Sequence, residues 1–311
     1  MGNAASDGLL AASDASSVED MTAMLTKLPA AKRAKISHAL SAAAQAGKPT
    51  NGANGDTIKR GELKKVKFGN TDMVVTEVCA GTMTWGSFVD KEEDAYAQLD
   101  CIMDKGVNFI DTAELYPVAF NYGKTTEKWI GNWMEKRIAE GKVQRDKLYI
   151  ATKCNPDGVG GPEGYAKQCH GFSADALMAS CKASLERLKT DYIDLYQLHW
   201  PSRDVLLFGP MYFSPNKEGK GELGKTHKDQ GEPEVFEKQV LAVKALLDAG
   251  MIRYWGLSNE NAYGITMFCN TCDRLGVPRP VSCQNDFSLV DRAYENETAE
   301  AAYRFGVVGL P

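Results

Sequence analysis

Four side chains of this sequence could move a proton together: Asp111, Tyr116, Lys153 and His199. An aspartate beside a buried lysine keeps that lysine charged, and a lysine cation beside a phenol lowers the phenol pKa. A tyrosine so placed can act as general acid toward a carbonyl oxygen near neutral pH, and a histidine can point at the same oxygen and orient it. Alone, each residue would be ordinary, since aspartates cap helices, tyrosines fill cores and lysines cover surfaces. Their force comes from convergence: three end short apolar runs, and Tyr116 lies just past Asp111.

Those runs are the elements that must position the chemistry. They span 78–83, 108–112, 148–153, 193–198, 254–258, 281–284 and 306–311. Between them, apolar residues recur at helical spacing. The sets are Ala95, Leu99, Ile102 and Met103 ahead of Gly106; Leu177, Cys181, Leu185 and Leu188 after Ser173; Phe236, Val240, Val243 and Leu247 ahead of Gly250; and Ile265, Cys269, Cys272 and Leu275 ahead of Gly276. Asp90 and Glu93 are spaced as a capping box for the first helix. Runs 63–68 and 73–78 flank Gly69-Asn70-Thr71-Asp72 and predict a hairpin.

Strands alternating with helices predict a parallel sheet, either closed as a barrel or open and doubly wound. The Gly-rich stretch 158–164 lacks the strand-turn-helix spacing of a dinucleotide fingerprint. Polar residues instead end successive strands: Asp111, Lys153, His199, Ser258 with Asn259, and Gln284 with Asn285. A (β/α)8 TIM barrel builds its site from such strand ends. Loops 155–172 and 202–233 are long, and Phe208, Met211, Tyr212 and Phe213 in the second could wall a substrate pocket.

Composition excludes several classes. With 36 Lys+Arg against 41 Asp+Glu the net charge is −5, so no general basic field exists to grip nucleic acid. No stretch approaches the roughly 18 apolar residues of a membrane span. Eight cysteines without a secretory signal predict free thiols and a cytoplasmic location. Cys269 and Cys272 fall on the apolar stripe of a helix, which predicts burial rather than redox or metal chemistry. The four histidines form no local metal motif, and no metal site is expected.

Residues 1–62 hold no Phe, Trp or Tyr and are expected to be a largely disordered extension and linker ahead of a domain at 63–311. Met1-Gly2-Asn3-Ala4-Ala5-Ser6 fits the N-myristoylation pattern at Gly2, which predicts weak, reversible membrane contact.

From residue 63 onward the chain resembles the aldo-keto reductases. The resemblance is carried, in family order, by Gly81-Thr82-Met83-Thr84-Trp85-Gly86, Asn108-Phe109-Ile110-Asp111-Thr112-Ala113-Glu114-Leu115-Tyr116-Pro117, Ala151-Thr152-Lys153, Thr190-Asp191-Tyr192-Ile193-Asp194-Leu195-Tyr196-Gln197-Leu198-His199-Trp200-Pro201, Ile252-Arg253-Tyr254-Trp255-Gly256-Leu257-Ser258-Asn259 and Gln284-Asn285. The versions ending in Tyr-Pro and His-Trp-Pro look most like the Tas-like branch, which is related to the potassium-channel β subunits. The resemblance implies a (β/α)8 barrel, NADP(H), and hydride transfer to a small aldehyde or ketone. It implies that Asp111, Tyr116, Lys153 and His199 are the catalytic tetrad. It further implies cofactor contacts at Thr82, Met83, Asp111, Ser258, Asn259 and Gln284, and substrate contacts at Trp85 and Trp200. Seven strands fall before Pro311, so the barrel is expected to be truncated in its seventh strand. The family's phosphate-clamping residues would follow it, which implies weak NADPH binding by this form alone and an open edge that a protein partner would cover. The alternative reading is a catalytically inactive structural or regulatory subunit on the same fold.

Overall fold

The computed structural model describes residues 63–117, 125–155, 172–203 and 233–311. The extension 1–62 with Gly2, the Gly-rich stretch and most of both long loops lie outside these residues.

The chain opens with the expected hairpin, an antiparallel pair of β1 (Lys65–Lys67) and β2 (Val74–Thr76). There follow β3 (Ala80–Gly81), α1 (Glu92–Asp104), β4 (Phe109–Asp111), α2 (Thr125–Ala139), β5 (Tyr149–Cys154), α3 (Ala174–Leu188) and β6 (Ile193–Leu198). The chain continues through α4 (Pro233–Asp248), β7 (Ile252–Ser258), α5 (Ala262–Leu275), β8 (Ser282–Gln284), α6 (Glu297–Phe305) and β9 (Val308–Leu310). Strands β3 to β9 form one parallel sheet in sequence order, with β3 and β9 at its two ends. Each of the seven expected runs overlaps one of these strands, with β5 running one residue further and β7 beginning two residues earlier than expected.

Alternation along the strands sorts side chains to two faces. Ile110, Ile150, Tyr196, Leu198, Trp255 and Leu257 face the helices and share the main core with Leu99, Trp133, Leu177, Val240 and Phe268. Phe109, Ala151 and Leu195 point the other way and pack with Phe68, Met73 and Val75 of the hairpin region. Val308 and Leu310, on the last strand, are partly buried against the same cluster. One hairpin can touch both β4 and β9 only if the sheet curls around it. The result is a (β/α) barrel wall whose N-terminal end is plugged by apolar side chains.

Polar contacts fix the plug. Asn108 Oδ1 accepts from the Thr76 backbone N–H at 2.8 Å, and its Nδ2 donates to the Val74 carbonyl at 2.9 Å. Arg253 bridges the buried Asp194 carboxylate and Asp72 of the hairpin turn, each at 2.7 Å. Asp194 also accepts from the Ile150 backbone N–H at 3.0 Å, which locks β6 to β5.

The expected capping box at α1 is not formed. Lys91 is the N-cap and makes no side-chain cap bond, which leaves Asp90 one residue outside the helix. Glu92, Glu93 and Asp94 crowd the first turn instead, where the helix dipole favours negative charge. Ser173 does cap α3, its hydroxyl accepting from the Ala176 N–H. Cys269 and Cys272 are fully buried on α5, and burial pushes both thiols up to about 12.

Helices α2 and α3 meet at Gly131, where an added Cβ would lie 2.1 Å from the Arg187 carbonyl oxygen and 2.8 Å from the Leu188 carbonyl carbon. Gly131→Ala gains about 1 kcal/mol of helix propensity. The overlap is with backbone, which can move only by parting the helices, and such overpacking costs about 1–3 kcal/mol or more. Gly131→Ala is therefore expected to lower the urea midpoint; an unchanged or higher midpoint would show that this helix pair does not approach so closely.

Candidate active site

The strand ends carry the four proton-handling candidates to one place. Asp111 ends β4, Lys153 is the penultimate residue of β5, His199 follows β6, and Tyr116 lies in the turn after β4. Register explains the meeting. Asp111 pairs with Ala151 and Lys153 pairs with Gln197, so Lys153 stands one inward position above Ala151 and its stem reaches across to Asp111. Its Nζ lies 2.6 Å from Asp111 Oδ2, 2.8 Å from the Thr112 carbonyl oxygen and 3.4 Å from Tyr116 Oη. An ammonium has three N–H donors, and each finds an acceptor here.

Lys153 is 1% exposed, and burial alone would push its pKa down. The Asp111 carboxylate and Tyr116 outweigh burial, and the pKa is held above the ordinary lysine value. Tyr116 departs from expectation. Lys153 lowers its pKa, but burial raises it more, and the net direction is upward. The phenol stays protonated through neutral pH, as a proton donor must, without the acidification the residue types suggest. His199 is buried beside Lys153, and both burial and that cation depress its pKa well below 6.5, so the ring is neutral.

His199 is held from every side. Its backbone N–H donates to the Cys154 carbonyl at 2.9 Å, and its carbonyl accepts from Asn259 Nδ2 at 2.8 Å. Its ring meets Tyr116 edge-on at 5.7 Å between centroids and Trp200 at 4.1 Å, and Nδ1 lies 2.7 Å from Asn155 Oδ1.

The remaining candidates divide. Ser258, Asn259 and Gln284 end β7 and β8, and the Asn259 N–H donates to the Gln284 carbonyl at 2.7 Å. Asn259 adopts φ +56°, a left-handed conformation that asparagine tolerates better than most residues. Thr82 is buried with its hydroxyl donating to the Asp111 carbonyl at 2.9 Å, whereas Met83 is exposed. Trp200 is half-buried against His199, beside the candidate tetrad. Trp85 is 2% exposed in the helix-side core, and its N–H donates to Gln98 of α1.

Two contributors escaped the sequence reading. Gln197 Nε2 donates to Asp111 Oδ1 at 3.3 Å and steadies the carboxylate oxygen that Lys153 leaves. Asn155 reaches His199. The signal was the period of two: Gln197 precedes His199, and Asn155 follows Lys153, by one full alternation. Among the described residues no group of three or more His, Cys, Asp or Glu side chains could hold a metal ion.

A parallel barrel wall with a buried Lys-Asp pair, a phenol and a neutral imidazole at its C-terminal end defines a class of barrel proteins equipped for proton transfer. The chain belongs to the aldo/keto reductase family, whose model matches residues 77–310. It is 34% identical over 240 residues to protein tas of Escherichia coli, covering 76% of this chain and 64% of that protein. It is 29% identical over 245 residues to the oxidoreductase YrpG of Bacillus subtilis, covering 77% of this chain and 63% of that protein. A shorter match, 37% over 132 residues, covers 40% of this chain and 32% of the norsolorinic acid reductase stcV of Emericella nidulans. The chain thus spans less than two thirds of the length of these relatives.

The depressed His199 pKa makes stability depend on pH. The unfolded chain binds this proton more readily than the folded one, so acid favours unfolding. The contribution is complete above the ordinary value of 6.5 and is lost as pH falls from there toward the depressed folded value. Urea unfolding of wild type and His199→Gln, at slightly alkaline and at mildly acidic pH, should show a smaller loss on acidification in the variant. Equal losses would mean that His199 takes up its proton in the folded protein without penalty.

Proposed function

We propose that this protein is an NADP(H)-dependent oxidoreductase that reduces an aldehyde or ketone to an alcohol, with Tyr116 as general acid. The observation that supports this most directly is the 3.4 Å contact between Lys153 Nζ and Tyr116 Oη. It sets a fixed cation beside a phenol that is itself protonated.

The strand ends suit a nicotinamide carboxamide, which offers both donors and an acceptor. Asn259 Oδ1 and the Gln284 side chain make no hydrogen bond among the described residues, and the Ser258 hydroxyl accepts only a 3.2 Å contact from Asn259 Nδ2. Two amides and a hydroxyl can match every polar atom of such a group. When bound there, the reduced nicotinamide supplies a hydride. Thr82 and Met83 would contact the cofactor from the β3 side, and the preference for the 2′-phosphate form rests on family resemblance.

The chain's own residues then have separable tasks. Tyr116 donates its proton to the carbonyl oxygen as negative charge builds there. Lys153 stabilises the phenolate left behind, at a distance and burial where a cation acts strongly. Asp111 keeps Lys153 charged and, with Gln197, keeps it in place. His199, as a neutral ring, orients the substrate carbonyl, and Trp200 walls the site beside it. The named reductase among the relatives supports the direction of reaction. A reducing, cytoplasmic setting suits the seven described cysteines, all of them free, and no described helix is long and apolar enough to cross a membrane.

Tyr116→Phe tests the reading, because it removes the proton donor and keeps the ring. Turnover of an aldehyde such as a nitrobenzaldehyde should fall by about 10²-fold or more, while NADPH binding, followed by tryptophan quenching, stays near wild type. Full activity in the variant would remove Tyr116 from the role of general acid.

A further inference from the structure

Two buried charges outside the candidate tetrad tie its surroundings together. Arg203 lies four residues after His199, and Glu260 directly follows Asn259. The guanidinium donates through Nη1 to Glu260 Oε1 at 2.8 Å and through Nη2 to Oε2 at 2.7 Å, and both residues are buried. Nη2 also reaches Asn261 Oδ1 at 3.2 Å. The guanidinium carbon lies 5.4 Å from the ring centroid of Phe236 on α4 and 5.4 Å from that of Tyr263 on α5.

A buried ion pair adds little stability over well-packed apolar residues of similar volume. A two-pronged pair does add geometry, because a planar fork meets a carboxylate in a restricted set of orientations. Capping does not account for the carboxylate, since Asn261 already caps α5 by accepting from the Gly264 N–H. The pair joins two segments of the site. On one side, His199 and Trp200 run through Pro201 and Ser202 into Arg203. On the other, Ser258 and the left-handed Asn259 run into Glu260, whose carbonyl accepts from Asn285 Nδ2 at 2.7 Å. The same two segments also meet where Asn259 Nδ2 donates to the His199 carbonyl.

We propose that Arg203 and Glu260 are positioning residues that set the width of the site between the His199–Trp200 segment and the Ser258–Asn259 segment. Each acts through its neighbours in the chain. The consequence rests on the proposed reaction, in which one segment orients the carbonyl and the other anchors the carboxamide. The pair then sets how far the hydride must travel.

Arg203→Met combined with Glu260→Leu removes both charges together, so neither is left buried without its partner. Deuterium exchange of the free full chain, followed by mass spectrometry, should show lost protection in peptides covering 199–203 and 258–261 together. The hairpin plug, 65–76, should keep wild-type protection. Turnover of a nitrobenzaldehyde at saturating NADPH should fall toward the roughly 10²-fold that a misplacement of about 1 Å costs, while the NADPH dissociation constant stays near wild type. A pair that only stabilised the fold would change the urea midpoint and leave kcat per folded molecule alone. Gly264→Ala keeps both charges, but its Cβ would overlap Glu260 Oε2 and lie 2.6 Å from Arg203 Nη2, so the same two segments should loosen. Should the double variant fail to fold, Gly264→Ala decides alone. Wild-type protection in both segments, or loosening of only one, overturns the inference, as does a wild-type kcat in a variant whose segments have loosened. If the wild type reduces no aldehyde, the reduction reading fails by itself, and the exchange pattern still decides whether the pair holds the two segments.

Discussion

A charged lysine buried at 1% exposure is the constraint on which the site depends. Removing an ammonium from water costs several kcal/mol even after the protein relaxes. That cost is offset only where geometry is good and every N–H is used. Asp111, Thr112 and Tyr116 supply the three acceptors, all from β4 and the turn that follows it. Lys153 therefore sets both the pairing of β5 with β4 and the path of the chain from Asp111 to Tyr116. A shift of one residue between these strands would turn Lys153 to the helix-side core and leave Asp111 without its cation.

The same alternation divides the barrel interior into two tiers. Near the N-terminal end, Phe109, Ala151, Leu195 and the hairpin residues Phe68, Met73 and Val75 make an apolar plug. One inward position higher, Asp111, Lys153 and Gln197 make a polar tier. The plug excludes water from below, which strengthens each interaction above it. The ion pairs of Asp194 and Arg253 secure the plug to the strands from the rim, where Arg253 and Asp72 are partly solvated. Stability is thus concentrated at one end and chemistry at the other, as in barrels whose sites lie at the C-terminal ends of the strands.

Much of this was legible in the sequence, for reasons that differ between levels. Strands such as Ile193–Leu198 are short apolar runs bounded by turn residues, and glycines at 106, 250 and 276 stop helices with positive φ. The meeting of Asp111, Tyr116, Lys153 and His199 was legible because several strands end in polar residues. What escaped depends on geometry across the sheet. The Trp85 N–H finds Gln98 only once α1 packs on the sheet. Asp90 and Glu93 have capping-box spacing, yet the helix starts too late for Asp90 to reach it. The direction of the Tyr116 pKa depends on how far burial exceeds the pull of Lys153, and residue spacing carries no measure of burial.

The raised Tyr116 pKa bears on the donor role proposed for the phenol. A lysine can only donate, so in the contact with Lys153 the Tyr116 oxygen must be the acceptor. Its own proton is then directed away from Lys153, and no described residue accepts it. His199 is held edge-on beside the phenol ring and neutral by burial, so it adds no positive charge to compete with Lys153 for the phenolate that forms. The resting site consists of one ion pair and two neutral rings. Negative charge appears on Tyr116 only when its proton leaves, and it appears beside a cation already in place. Because Asp111, Thr112 and Gln197 fix that cation beforehand, little reorganisation is needed at the moment of transfer. In the proposed reaction the raised pKa is no obstacle, since a phenol acting as donor must be protonated at rest and needs its anion stabilised only as the carbonyl oxygen takes the proton.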